Sequence, residues 1–125
     1  MAAPNIVNVT SIYAKTVHDT LVNTSASATL TNAASSNKVL KINTIIAANV
    51  DGTNDADITV FVTTAGSATA LYHLAHTITV PADSTLVIIS KDTSFYLEED
   101  RAIRANASNA SDISLMVSYD ELDDA

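Results

Sequence analysis

The sequence predicts an all-β fold: an antiparallel β-sandwich of about eight strands, jelly-roll-like or immunoglobulin-like. Three observations carry this expectation. Apolar and polar residues alternate in several runs of strand length, the period of two that sends successive side chains to opposite faces. Thr, Val, Ile, Ser and Asn are abundant, a composition suited to pleated strands joined by turns. Turn clusters also separate the runs: VDGTNDAD at 50–57, VPADST at 80–85 and YLEED at 96–100.

Taken in order, residues 7–15 and 17–25 read as a first pair of strands, followed by a polar connection over 31–37. Residues 38–50 form the longest strand candidate, with Leu40, Ile42, Ile46 and Val50 on its buried face and a bulge allowed within it. Asp51-Gly52 is the strongest local turn signal, because Asp-Gly suits the positive φ angles of a tight hairpin. A strand at 58–63, with Ile58, Val60 and Val62 inward, would then pair back onto 38–50. Ala65-Gly66-Ser67 marks the next turn. Residues 70–80 follow, with Tyr72, Leu74, Ile78 and Val80 as the apolar face, and Pro81 ends them because it has no amide hydrogen for a ladder. Leu86, Val87, Ile88 and Ile89 form a nearly continuous apolar run, which suggests cover on both faces, one of them by another subunit. Residues 95–97, 102–107 and 113–119 supply the last strands, with Ile113, Leu115, Val117 and Tyr119 inward.

The chain of 125 residues has room for one domain, 1–125. Within it, residues 1–6 read as an extended N-terminal arm and 120–125 as an acidic C-terminal tail. There is no cysteine, so disulfides and thiolate metal sites are excluded. A net charge of −8, with six Lys and Arg in all, argues against a phosphate-binding surface and hence against nucleic acid as a partner. The N-terminal MAAPNIVNV has neither a basic region nor a long apolar run, so no signal peptide and no membrane span is expected.

Candidate chemistry is sparse. His73 and His76 are three apart, which on a regular strand places them on opposite faces. Asp51, Asn54, Asp55 and Asp57 offer hard oxygen ligands, but their spacing does not match a calcium-binding helix-loop-helix loop, and a hairpin loop is the expected role. Glu98 and Glu99 are neighbours that point apart along an exposed turn. No G-x-S-x-G and no glycine-rich phosphate loop is present. Catalytic residues, cofactors and metals are accordingly all expected to be absent.

The blocks ANVDGTN (48–54), TITVPADSTLVIISKDT (77–93), YLEED (96–100) and SYDEL (118–122), with VTSIYAKT (9–16) before them, resemble small virion structural proteins of tailed bacteriophages, marine cyanophage type. The resemblance implies a noncatalytic particle component. Its most concrete form is a capsid decoration, or cement, protein on the outer surface of the major capsid protein shell; neck or tail adaptors are the alternative within the same class. A carbohydrate-binding module is a different class, and would need exposed aromatic platforms among Tyr13, Tyr72, Phe95, Tyr96 and Tyr119. The family pattern commonly has Gly where this chain has Asp100. Expected partner-contact residues are Leu86, Val87 and Ile89, with Asp51, Asn54 and Asp55, and a homo-oligomer, guessed as a trimer, follows from shell symmetry.

Overall fold

The computed structural model describes residues 5–20 and 22–124. Among the described residues nine strands run β1 (Ser11–Asp19), β2 (Ser27–Asn32), β3 (Lys38–Asn49), β4 (Ala56–Thr64), β5 (Ala70–Val80), β6 (Thr85–Ile89), β7 (Phe95–Leu97), β8 (Arg101–Ala107) and β9 (Ile113–Asp123), with a short 3₁₀ turn at Lys91–Thr93. One sheet has the order β1-β9-β3-β6, with β7 also pairing β3; the other has the order β2-β8-β4-β5. All pairings are antiparallel.

The order has a simple physical origin. The pairs β4·β5, β3·β6, β2·β8 and β1·β9 are the rungs of one long hairpin whose tip is the 65–69 turn. Wrapping that hairpin on itself adds β3·β9 and β4·β8, which complete two sheets. This is the jelly roll. The immunoglobulin-like alternative, which distributes seven strands as four and three, does not describe it.

The core between the sheets is aliphatic. Ile42, Ile45, Ile58, Val60, Val62, Ile103, Ile113 and Val117 are fully enclosed, joined by Leu97 and Leu115. β9 alternates as its sequence predicts, with Ile113, Leu115, Val117 and Tyr119 inward. In β3 the expected face holds only as far as Ile42. A bulge between Ile42 and Thr44 inserts one residue, the phase flips, and Ile45 and Ala47 become the buried positions. Val50, expected on that buried face, is 55% exposed just beyond the strand.

Several local expectations are overturned by long-range pairing. The predicted 7–15/17–25 hairpin is instead the single strand β1, laid along β9 so that Val17 faces Val117, one hundred positions on in the sequence. The 31–37 connection starts later, because Thr31 and Asn32 belong to β2. β4 does not pair back onto β3 but lies in the opposite sheet, so the Asp51-Gly52 segment is a crossover and Gly52 has no positive φ. The 120–125 tail is a strand as far as Asp123, with Glu121 and Leu122 buried; residue 125 lies outside the described residues. Of the 1–6 arm, residues 1–4 also lie outside them, whereas Asn5 opens a turn closed by the Asn8 amide donating to its carbonyl at 3.0 Å.

Two buried asparagines staple the sheets at opposite ends of β3. Asn32, on β2, donates through Nδ2 to the carbonyls of Lys38 (2.9 Å) and Leu97 (3.1 Å) in the other sheet. Asn49, at the end of β3, donates through Nδ2 to Val80 (2.9 Å) and Asn54 (3.0 Å), and its Oδ1 accepts from the Asp51 amide at 3.0 Å. A buried amide with its capacity nearly filled fixes geometry, and truncating it orphans enclosed carbonyls. The largely buried Glu121 carboxylate is met by Lys15 at 3.1 Å and Lys38 at 3.6 Å, tying β1 and β3 to β9 between them.

Asn49→Ala is expected to lower the unfolding free energy by about 2–3 kcal/mol, since it strands two carbonyls and an amide; urea denaturation measures it, and a loss under about 0.5 kcal/mol would show that these bonds hold little. The Glu121 carboxylate raises the Lys15 pKa above 10.5, chiefly by its hydrogen bond. A raised lysine pKa stabilises fully below the unfolded value and is lost as pH climbs through the folded one. Lys15→Met should therefore melt below the parent at pH 8, with the gap closing above pH 10.5; a gap independent of pH would assign the effect to packing.

Candidate functional site

The open ends of the two sheets meet at β5 and β6, the edge strands joined by the 81–84 turn. Pro81 stops β5 as its chemistry requires, and Asp83 takes a positive φ of 58° to reverse the chain. Between the two edges runs an apolar groove of about 400 Å³, lined by Leu74, Ile78, Leu86, Val87 and Ile88, with Ala75 and His76 alongside. Ile78 and Val87 are 42% and 58% exposed, and Leu71 and Tyr72, farther along β5, are exposed as well.

The expected partner-contact residues divide here. Leu86 and Val87 line the groove. Ile89 does not belong with them; it is a core side chain, 7% exposed, because Ile45 pairs with Ile89 but Ile46 with Val87, so Ile88 is an extra residue on β6 and the face reverses across it. Within the chain β6 is covered on one face only, and Val87 stands on the other. The expected apolar face of β5 is likewise only partly inward: Val80 is buried and Leu74 half-buried, while Tyr72 and Ile78 are exposed. β5 is an edge strand whose register against β4 shifts three times, so a period of two cannot be held along it.

Asp51, Asn54 and Asp55 sit at one end of the same edge. The Asp51 carbonyl accepts the Asp83 amide at 3.1 Å, and Asp55 Oδ1 accepts the Ala82 amide at 3.1 Å, so this loop packs on the turn joining β5 to β6. Leu86, Val87 and the 51–55 loop thus adjoin the same β5–β6 turn, whereas Ile89 lies in the core. Their carboxylates are already engaged. Asp51 Oδ1 accepts the amides of Thr53 (2.8 Å) and Asn54 (3.3 Å), Oδ2 accepts Asn54 Nδ2 (3.2 Å), and these donors hold the Asp51 pKa below its usual 3.8. Asp57 Oδ1 accepts Thr79 Oγ1 at 2.7 Å across β4 and β5.

Three further placements differ from expectation. Glu99 is not an exposed turn residue but 2% exposed, and both its carboxylate oxygens are enclosed with no hydrogen-bond partner among the described residues. Asp100 adopts φ 59°, the left-handed conformation that a non-glycine residue takes at a cost. His73 and His76 lie not on opposite faces but in ring contact, their centroids 4.6 Å apart. The signal that could have located this pair was the β5 bulge, which no local pattern announces. Among aromatic residues, Tyr119 is buried, whereas Tyr13, Tyr72 and Tyr96 are exposed on three different strands, and no ring contact joins any two of those three among the described residues.

No family model and no curated protein matches the chain. Among solved structures it is similar to a chain from Bacillus endospore appendages, described as a novel family of disulfide-linked pili. The TM-score is 0.52 at 14% identity, covering 92% of this chain and 90% of that one. Identity this low bears on the fold, which both chains share as an all-β sandwich across nearly their whole lengths.

Burying a carboxylate without a donor costs more than burying its neutral amide. Glu99→Gln is expected to raise the melting temperature at pH 7, by an amount equivalent to about 1–2 kcal/mol; scanning calorimetry decides, and a lower melting temperature would show that the carboxylate is stabilising where it stands.

Proposed function

We propose that this protein is a noncatalytic structural subunit of a phage particle, a capsid decoration protein that binds the outer surface of the major capsid shell through its β5–β6 edge. The observation that carries the reading is the exposed apolar groove with Ile78 and Val87 at its rim, continuous with the 51–55 loop. Isolated exposed apolar residues are ordinary, but a run of them along one edge marks a contact surface. Modest contacts of this kind gain strength by repetition around a symmetric shell. The sequence resemblance to virion proteins supplies the particle, and a homo-oligomer, with a trimer as the form suited to a threefold position, fits the same logic. Neck or tail attachment would use the same edge on a different neighbour.

A second reading has one observation in its favour. The fold is shared with a chain of appendages described as pili, so this subunit could polymerise with itself instead of coating a shell. Without cysteine such a polymer would be held noncovalently. A carbohydrate-binding module has weaker support, since the exposed tyrosines do not gather into a platform.

The test is co-sedimentation with separated phage heads and tails that lack the protein, counting bound copies. On the order of hundreds of copies per head are expected, and Val87→Asp should reduce them at least tenfold while leaving the melting temperature near the parent's, because that side chain is exposed. Ile89→Ser, by contrast, should unfold the domain at lower temperature, by about 2–4 kcal/mol. A handful of copies on tails would move the subunit to an adaptor. Filaments of the purified protein would favour the polymer, and binding unchanged by Val87→Asp would remove the groove from the account.

A further inference from the structure

We propose that His73 and His76 form a two-imidazole site for a borderline divalent transition ion of the nickel, copper and zinc class. The pair exists because of a bulge. Phe61 pairs with His73 but Val60 pairs with Ala75, so Leu74 is an extra residue on β5. His73 and the Phe61 side chain share the outer face of the sheet, with ring centroids 5.5 Å apart. Ala75 then turns inward, where it is 9% exposed, and His76 returns to the face that His73 occupies. Both imidazoles are solvent-exposed.

The spacing suits chelation. With a metal–nitrogen bond of about 2.1 Å, the ion lies about 3.2 Å from each ring centre, so two rings about 90–110° apart at the metal have centres roughly 4.6–5.3 Å apart. The observed separation is 4.6 Å, with the ring planes at 62°. Aligning one nitrogen of each ring needs only rotation about χ2, a broad and soft torsion for histidine. Imidazole ligands select this class of ion over calcium and magnesium, which prefer oxygen. The nearest cationic side chain by pairing is Arg104, opposite Phe61 on β8, and its Nε is turned to Thr63 Oγ1 at 3.3 Å. No group of three or more His, Cys, Asp or Glu able to hold a metal forms among the described residues. Two protein ligands therefore leave the remaining coordination positions to water or to a neighbouring molecule.

The probe is NiCl₂, titrated into the full chain at neutral pH and followed by calorimetry and by imidazole NMR signals. One nickel ion per chain is expected, with only the His73 and His76 imidazole signals perturbed and with excess calcium failing to compete. Losing either ring removes the chelate advantage, so H73A and H76A should each weaken binding at least tenfold. H18A, which removes the remaining histidine, should bind like the parent. H76A carries the test by itself if loss of the His73 ring from Phe61 disturbs the fold. Absence of saturable binding would overturn the site and leave the pair as a stacking contact, and so would binding changed less than twofold in H76A.

Discussion

The pairing of the first strand with the last is the constraint on which this molecule depends. β9 lies between β1 and β3, so the sheet has no continuous middle until residues near the C-terminal end are in place. Its partners are distant in sequence: Ser11 faces Asp123, and Lys38 faces the same residue from the other side. The hairpin tip at 65–69 is local, but each rung away from it closes a longer loop, at a conformational cost that rises with loop length. What offsets that cost is the alternating face of β9, whose four inward apolar residues meet both sheets. The polar staples act at the ends of this assembly. Asn32 and Asn49 satisfy enclosed carbonyls that would otherwise be unpaired where the chain crosses between sheets, and Glu121 draws a lysine from each flanking strand.

The same constraint explains what could be read from sequence. Runs with an unbroken period of two were legible: Ile58, Val60 and Val62 in β4, and Ile113 through Tyr119 in β9, are inward as their spacing requires. The Pro81 stop and the 65–67 turn were legible because their causes are local. Elsewhere local signals were outvoted. Asp51-Gly52 has the composition of a tight hairpin, yet the strands on either side of it find better partners in different sheets, and the segment becomes a crossover held by Asn49. The apparent acidic tail is a strand because Leu122 and Glu121 have a place against β3 and the two lysines. A charge count cannot see that place.

Bulges account for most of the remaining differences, including those at the candidate site. One inserted residue reverses the face of everything beyond it until a second restores the phase. In β3 this moves burial from Ile46 to Ile45 and Ala47. Near β6 it sends Ile89 into the core while Val87 stays outside, so a run of similar aliphatic residues splits into structural and surface members. In β5 it brings two histidines onto one face. The identity of the residues at the edge was readable; which of them faced outward was not, because it depends on register against a strand elsewhere in the chain.

Edge chemistry also limits how a neighbour can be engaged. An open strand edge invites pairing by another chain, and proteins blunt such edges with bulges or short strands. β5 is irregular against β4 at three places, and β6 has only five residues. Neither offers a long, regular row of backbone donors and acceptors. The apolar side chains between them, however, are partly or largely exposed, while the nearby carboxylate of Asp51 is held by the Thr53 and Asn54 amides and that of Asp55 by the Ala82 amide. Recognition at this edge is therefore better served by side-chain packing into the groove than by strand addition or by ion pairing from the loop.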